Sequence, residues 1–245
     1  MQAHQPRRYR KLVASTDLVA CEVAVGETDL QVLAERDLRA QARAVIYRAR
    51  RAIEGHAALH PEFLEARVPL PTPPDARGIV AAMYGAAWVA GVGPMAAVAG
   101  AIAEVVAREL AAHSAEVIVE NGGDLFLITL RERLVAIDAG ASVWGRRVAL
   151  ALPPGERAVC TSSGTIGHSA SGGRADAAVV VAPEGAVADA LATALANRVA
   201  GPDDVESAVE WARGRDAVEH IVVICGTAMA TWGRLELRRR EGGEK

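Results

Sequence analysis

Residues 187–199, VADALATALANRV, place three polar side chains on an apolar helical pattern. Asp189, Thr193 and Asn197 fall at i, i+4 and i+8, so successive members are neighbours on one helix face. The residues between them are Ala or Leu. A polar stripe on such a helix must meet something polar, because a buried carboxylate without partners costs several kcal/mol. A carboxylate beside a hydroxyl is an oxygen pair suited to a hard cation such as Mg2+. The alternative is local, with Asp189 capping the start of its own helix and Thr193 bonding back along it.

Three more polar islands interrupt the apolar sequence. CTSSGTIGHSASGG runs from Cys160 to Gly173. Its Thr161, Ser162, Ser163, Gly164 and Thr165 combine hydroxyls with freely bending backbone, a composition that can wrap a phosphate or bond a planar heterocycle. His168 lies inside it, either touching the ligand or serving the loop. A Ser-His-Asp hydrolase is a poor fit, since the G-x-S-x-G elbow is missing. ENGGD, Glu120 to Asp124, follows a strand-like run. Gly122 and Gly123 open the backbone to unusual angles, and Asn121 and Asp124 flank them with an amide and an acceptor. A plain hairpin turn would account for the same residues. GVGPMAAVAG, Gly91 to Gly100, puts small residues at a helix N-terminus. There either a ligand phosphate or another backbone can approach. The four islands are expected to converge in one cleft.

Two other candidates are weaker. His56 and His60 are four apart, but their helix ends before Pro61 and no carboxylate cluster joins them in the sequence. They are read as no metal site. Cys160 has no basic neighbour to lower its pKa and is read as an inert thiol.

The elements that must position these residues are legible in outline. The chain has 245 residues, half of them apolar but only 4% aromatic, so the core must be built from Ala, Val, Leu and Ile. A net charge of −3 gives no reason to expect nucleic acid or an anionic membrane as partner. Three widely spaced cysteines and an N-terminus without an apolar run are read as a reduced, cytoplasmic protein. The long apolar stretch 79–107 is broken at Gly93-Pro94 and is read as two buried helices. Residues 12–34 read as a β-hairpin around VGETD, and Glu35 to about Gly55 as an amphipathic helix. Its six arginines form a solvated face or a phosphate-facing surface. After a Pro-rich connection, Asp75 is expected to cap a helix running to Gly91. The next helix starts near Pro94. Strands are expected at EVIVEN, DLFLITL, LVAIDAG, RRVALAL, ERAVCT, DAAVVVAP, HIVVICG and MATWGRLEL, and helices at Val187 to Val199 and Asp203 to Arg213. Hairpins outnumber strand-helix-strand units, which indicates α+β. A single domain over residues 1–245 is expected, with a frayed tail from about residue 238.

VGPMAAVAGAIAE, VIVENGGD, CTSSGTIGHS and ADALATALAN, in this order, resemble an uncharacterised family related to the ApbE family of FAD:protein FMN transferases. The resemblance runs from the first hairpin to about Cys225. Resemblance to the transferases proper is weaker and lies between Val92 and Asn197. It implies a two-layer, T-fold-like α+β arrangement of antiparallel sheet and helices. It implies Mg2+ held by Asp189 and Thr193, with carbonyls from Ala192 and the segment around Ala99. It also implies FAD or FMN beside Asn121, Gly122, Gly123 and Asp124 and beside Thr161, Ser162, Ser163, Gly164 and Thr165, with His168 and Asp189 catalytic. The chain departs from the transferases at MAAVAGA, where their acid and lysine are absent and Gly100 stands at the lysine position. The insert before the histidine is nearly gone. Three functions follow as expectations. One is a Mg2+-assisted binder of a flavin-like nucleotide, or an FMN transferase. Another is a non-catalytic carrier or assembly protein of sulfur (homocysteine) metabolism with a protein partner. The last is a small-molecule enzyme using His168 without flavin.

Overall fold

The computed structural model describes residues 12–13, 17–164, 173–215 and 217–240. Thr165 and His168 lie outside them. Alternating β-branched residues on either side of Gly26 fold as expected into strands β1 (Val19–Val25) and β2 (Thr28–Ala34), paired in register from Val25↔Thr28 to Val19↔Ala34. Gly26 takes φ 58° in the turn, a value that favours glycine. The hairpin is one edge of an antiparallel eight-stranded sheet. It continues through β3 (Val117–Asn121), β4 (Asp124–Thr129), β7 (Gly155–Ser162), β8 (Ala177–Ala182), β9 (His220–Cys225) and β10 (Ala228–Gly233) in the order 1-2-3-4-7-8-9-10. A smaller sheet of β5 (Arg133–Ala136), β6 (Val148–Leu152) and β11 (Glu236–Arg239) is ordered 11-6-5.

Central strands of the large sheet are buried on both faces, which is why β8 reads AAVVVA without alternation. Side chains still alternate by destination. Ala158 and Cys160 of β7, Val119 of β3 and Phe126 of β4 join the core beneath the helices. Val159, Ile118, Leu125 and Leu127 join a second core under the small sheet. The α+β arrangement of helices on an antiparallel sheet is therefore present. The small sheet adds a partial third layer that the sequence pattern did not reveal.

The helical layer comprises α1 (Arg39–Leu59), α2 (Glu62–Glu65), α3 (Gly78–Ala90), α4 (Val98–Leu110), α5 (Gly185–Ala196) and α6 (Val205–Arg213). On α1 the residues Ala42, Val45, Ile46, Ala49 and Ile53 face the core. Its arginines meet acids: Arg48 pairs with Glu109 and Arg50 with Glu54. Of the twelve residues of α5, all but Thr193 are buried, as befits a helix apolar on every side. It packs against α3, α4, β7 and β8. No single helix among the described residues is long and apolar enough to cross a membrane, and α3 meets the segment Pro94–Leu110 at a bend of 103°.

Three expectations are corrected. Asp75 caps no helix: α3 begins at Gly78 behind Arg77, and Asp75 lies in the turn before it. MATWGRLEL is two strands, because Gly233 at φ 129° ends β10 and the chain crosses to the small sheet as β11. Arg238 and Arg239 are not frayed, since they pair with Ala149 and Val148 of β6.

Candidate functional site

Helices α4 and α5 cross more closely than side chains permit. A Cβ at Gly100 would stand 2.2 Å from the Gly185 carbonyl oxygen, and one at Gly185 would stand 2.3 Å from that of Gly100. The small residues of GVGPMAAVAG thus admit another backbone at Gly100. Neither helix is capped by its own N-cap residue. Each is capped by the other. Glu104 Oε2 of α4 accepts the Gly185 N–H at 2.7 Å, and Asp189 Oδ2 of α5 accepts the Gly100 N–H at 2.9 Å. Both carboxylates sit at the positive ends of helix dipoles, where free N–H groups need acceptors. Asp189 is a cap, as the local reading had it, but of a helix 89 residues away in sequence.

ENGGD forms the turn between β3 and β4. Asn121 and Asp124 pair across the ladder, leaving Gly122 (φ 67°) and Gly123 (φ 110°) as a two-residue loop. Two positive φ values in such a loop are why both residues are glycine. Space beside both is open, so conformation rather than crowding requires them. The Gly123 N–H donates to Glu120 Oε1 at 2.6 Å. Asn121 Nδ2 donates to the Ala99 carbonyl at 3.0 Å, and Asp124 Oδ1 accepts the Thr161 N–H at 3.0 Å. These contacts, with Asp189 on Gly100, bring described parts of all four islands together at the start of α4, beside the ends of β3, β4 and β7.

The electrostatics are those of buried acids. Burial raises the Asp124 carboxyl well above the ordinary carboxylate range, and the nearby charge of Asp189 raises it further. Burial pushes Asp189 up to about 7, against the N–H groups of Gly100 and Ala99 that favour its ionised form. No Arg or Lys pairs with either carboxylate among the described residues. Cys160 is held protonated by burial and by Asp124 and Asp189, which makes it a poor nucleophile. Ser162 Oγ is buried without a partner among the described residues. The hydroxyl of Ser163 reaches the Ala175 carbonyl at 3.3 Å, and the Gly164 N–H donates to the same oxygen at 2.9 Å. Thr193 is half-buried and Asn197 is exposed where α5 ends. The result is an acidic, oxygen-rich corner, the donor chemistry that hard divalent cations prefer.

A profile of the family described as "AbpE bacteria" matches residues 10–229. The chain belongs to this ApbE-related family. Curated relatives carry only a family designation. A UPF0280 protein of Methanocella arvoryzae is 38% identical over 214 residues, covering 86% of this chain and 87% of the relative. One from Methanothermobacter thermautotrophicus is 44% identical over 183 residues, covering 72% and 71%. Among solved structures, the flavin transferase ApbE from Vibrio cholerae superposes with a TM-score of 0.54 at 15% identity, covering 88% of this chain and 96% of that one. The apo form of the Pseudomonas stutzeri flavinyl transferase ApbE gives 0.59 at 14% identity, covering 88% and 94%. At such identities the likeness shows the fold. Within this ApbE-related chain, position 100 admits no side chain at all, lysine included, because a Cβ there meets the Gly185 backbone.

The pairing of Asp124 with Asp189 was not legible in the sequence, where Asp124 read as an acceptor beside the Gly122–Gly123 turn and, by the resemblance, as a neighbour of flavin. Glu104 was missed as well. It sits on an ordinary helical face, and its role depends on where α5 begins.

Proposed function

We propose that this ApbE-related protein binds the phosphate portion of a flavin or similar nucleotide through a divalent cation. The observation that carries the reading is the Asp124–Asp189 pair, two buried carboxylates with raised pKa and no Arg or Lys beside them among the described residues. A cation favours their ionised forms and offsets their burial. Asp189 and Thr193, with the carbonyls of Ala192 and Ala99, would hold Mg2+. Asn121 orients the Ala99 carbonyl, and the Gly100 N–H orients Asp189. When bound, Mg2+ neutralises phosphoanhydride charge. The open space over Gly122 and Gly123 would admit a planar ring, while Thr161 to Thr165 and His168 would flank the phosphates. The whole chain would act as one unit, and a protein partner would receive or use the bound nucleotide. Binding is favoured over FMN transfer because the resemblance places the transferase lysine at Gly100, where no side chain fits. The carrier reading therefore stands second.

Calorimetric titration with FAD, FMN and ADP, with and without Mg2+, tests this. Expected is Mg2+-dependent affinity that is lost in Asp189→Asn while the folded fraction is retained. Equal affinity without Mg2+, or in a folded Asp189→Asn protein, would overturn the reading.

A further inference from the structure

A second cluster lies where α1 ends, beside α2 and α3. His56 and His60 stand one turn apart at the end of α1, with rings stacked at 4.5 Å between centroids. The Pro-rich connection brings Asp75 to them. Prolines at 71, 73 and 74 fix the backbone on its approach, and the Ala76 N–H closes a turn on the Pro73 carbonyl at 3.1 Å. One ligand atom from each of His56, His60 and Asp75 lies within 4.8 Å of the others. Among the described residues this is the one place where three His, Cys, Asp or Glu side chains meet so closely.

We infer that His56, His60 and Asp75 form a site for an imidazole-preferring divalent ion of the zinc class, which fastens the end of α1 to the connection before α3. Two imidazoles and a carboxylate are a ligand set such ions take, in contrast to the all-oxygen corner at Asp189. Four-coordinate zinc with bonds of about 2.0–2.1 Å sets its ligand atoms about 3.4 Å apart, so the cluster must tighten by roughly an ångström. His60 and Asp75 can supply that movement, because the first is half-buried and the second exposed. His56 is the fixed member. Its Nε2 lies 3.0 Å from the Tyr84 hydroxyl, and Phe63 packs edge-on at 5.0 Å. His60 Nδ1 lies 3.5 Å from Glu62 Oε1. With a metal on His56 Nδ1 and His60 Nε2, the Tyr84 hydroxyl and the Glu62 carboxylate would be the outer partners that orient the imidazoles. Three protein ligands leave a fourth position for water.

The experiment is a Zn2+ titration of EDTA-treated protein by calorimetry, on wild type, His60→Ala, Asp75→Ala and Asp189→Asn. Wild type should take up zinc at a site that Asp189→Asn retains. His60→Ala and Asp75→Ala should each weaken it by more than about tenfold. Both replaced side chains reach solvent, so melting curves without zinc should match wild type. Absence of zinc binding by wild type, or unchanged affinity in either of these two variants, overturns the site. X-ray absorption of the zinc-loaded wild type decides independently of any variant. Two imidazoles with oxygen support the site, and thiolate ligation or a single imidazole overturns it.

Discussion

Asp124 and Asp189 are each less than a tenth exposed, and backbone N–H groups hold them in place. His60 and Asp75 reach solvent, and His60 is held by stacking on His56 and by Glu62. The first cluster cannot be separated from the fold, because the carboxylate that would bind a cation is also the cap of α4. In the second, His60 and Asp75 can be replaced with little effect on the fold beneath them, whereas His56 is packed on Phe63 and Tyr84. A substitution at the buried corner therefore reports on stability and binding together, whereas one at His60 or Asp75 reports on the ligand alone.

The largest expected effect tests the first half of that contrast. Gly100→Ala drives a methyl group into the Gly185 carbonyl and against Asp189 Cβ, only 2.8 Å away. Both neighbours belong to a buried helix, so the crossing must open, at a cost of about 3 kcal/mol. The urea midpoint should fall, and Mg2+-dependent nucleotide affinity should fall with it as the Gly100 N–H leaves Asp189. A variant as stable as wild type would show that the crossing is not a constraint on the site.

The next effect is a pH dependence. Asp189 has a folded pKa near 7 against an ordinary 3.8. The folded state therefore keeps a proton that the unfolded chain gives up. Stability associated with this group is complete below about pH 4 and is lost as pH rises toward 7. On the order of 4 kcal/mol should disappear across that window without metal, and Asp189→Asn should reduce the slope of the curve to the part that Asp124 contributes. Saturating Mg2+ should also flatten it, by binding the ionised form. Urea midpoints at intervals from pH 4 to pH 8 give the slope, and a flat wild-type curve would contradict a strained carboxylate.

How much of this was legible in the sequence follows from the range of each interaction. Strand runs and the β1–β2 hairpin were readable because alternation and turn residues are local. The four islands stood out because polar or glycine-rich stretches contrast with apolar flanks. What Asp189 bonds to was not readable, since its partner lies on another helix and is a backbone N–H, which no residue type announces. Asp75 was misread for the same reason. A carboxylate after prolines and before a helical pattern looks like a cap, and only the fold carries it to His56 and His60. The break at Gly233 was hidden because apolar and β-favouring residues continue on both sides of it.

A smaller change probes the rim of the buried corner. Asn121→Ala removes one donor to the Ala99 carbonyl and should cost about 1 kcal/mol. Because it leaves Asp189 in place, metal-dependent affinity should weaken less than in Asp189→Asn. Equal loss in the two variants would make the orientation of the Ala99 carbonyl as important as the carboxylate itself.

The smallest effect belongs to Asp75→Asn without metal. At pH 7.5 its stability should lie within about 0.5 kcal/mol of wild type, because an exposed side chain is exchanged for one of the same shape. Its consequence is electrostatic and appears on His56. That ring is faced by His60, which lowers its pKa together with burial, by Asp75 and Glu62, which raise it, and by the neutral Tyr84 hydroxyl. Removing the Asp75 charge takes away one raising influence, so the His56 pKa should fall further below 6.5. A histidine with a depressed folded pKa contributes stability above its unfolded value and loses it as pH falls through the folded one. The variant should therefore match wild type at pH 7.5 and become slightly less stable near pH 5. An NMR titration of the His56 ring protons measures the shift directly. An unchanged or raised His56 pKa would place Asp75 away from the ring, and the contrast between a corner fixed within the core and a cluster open to solvent would lose its second member.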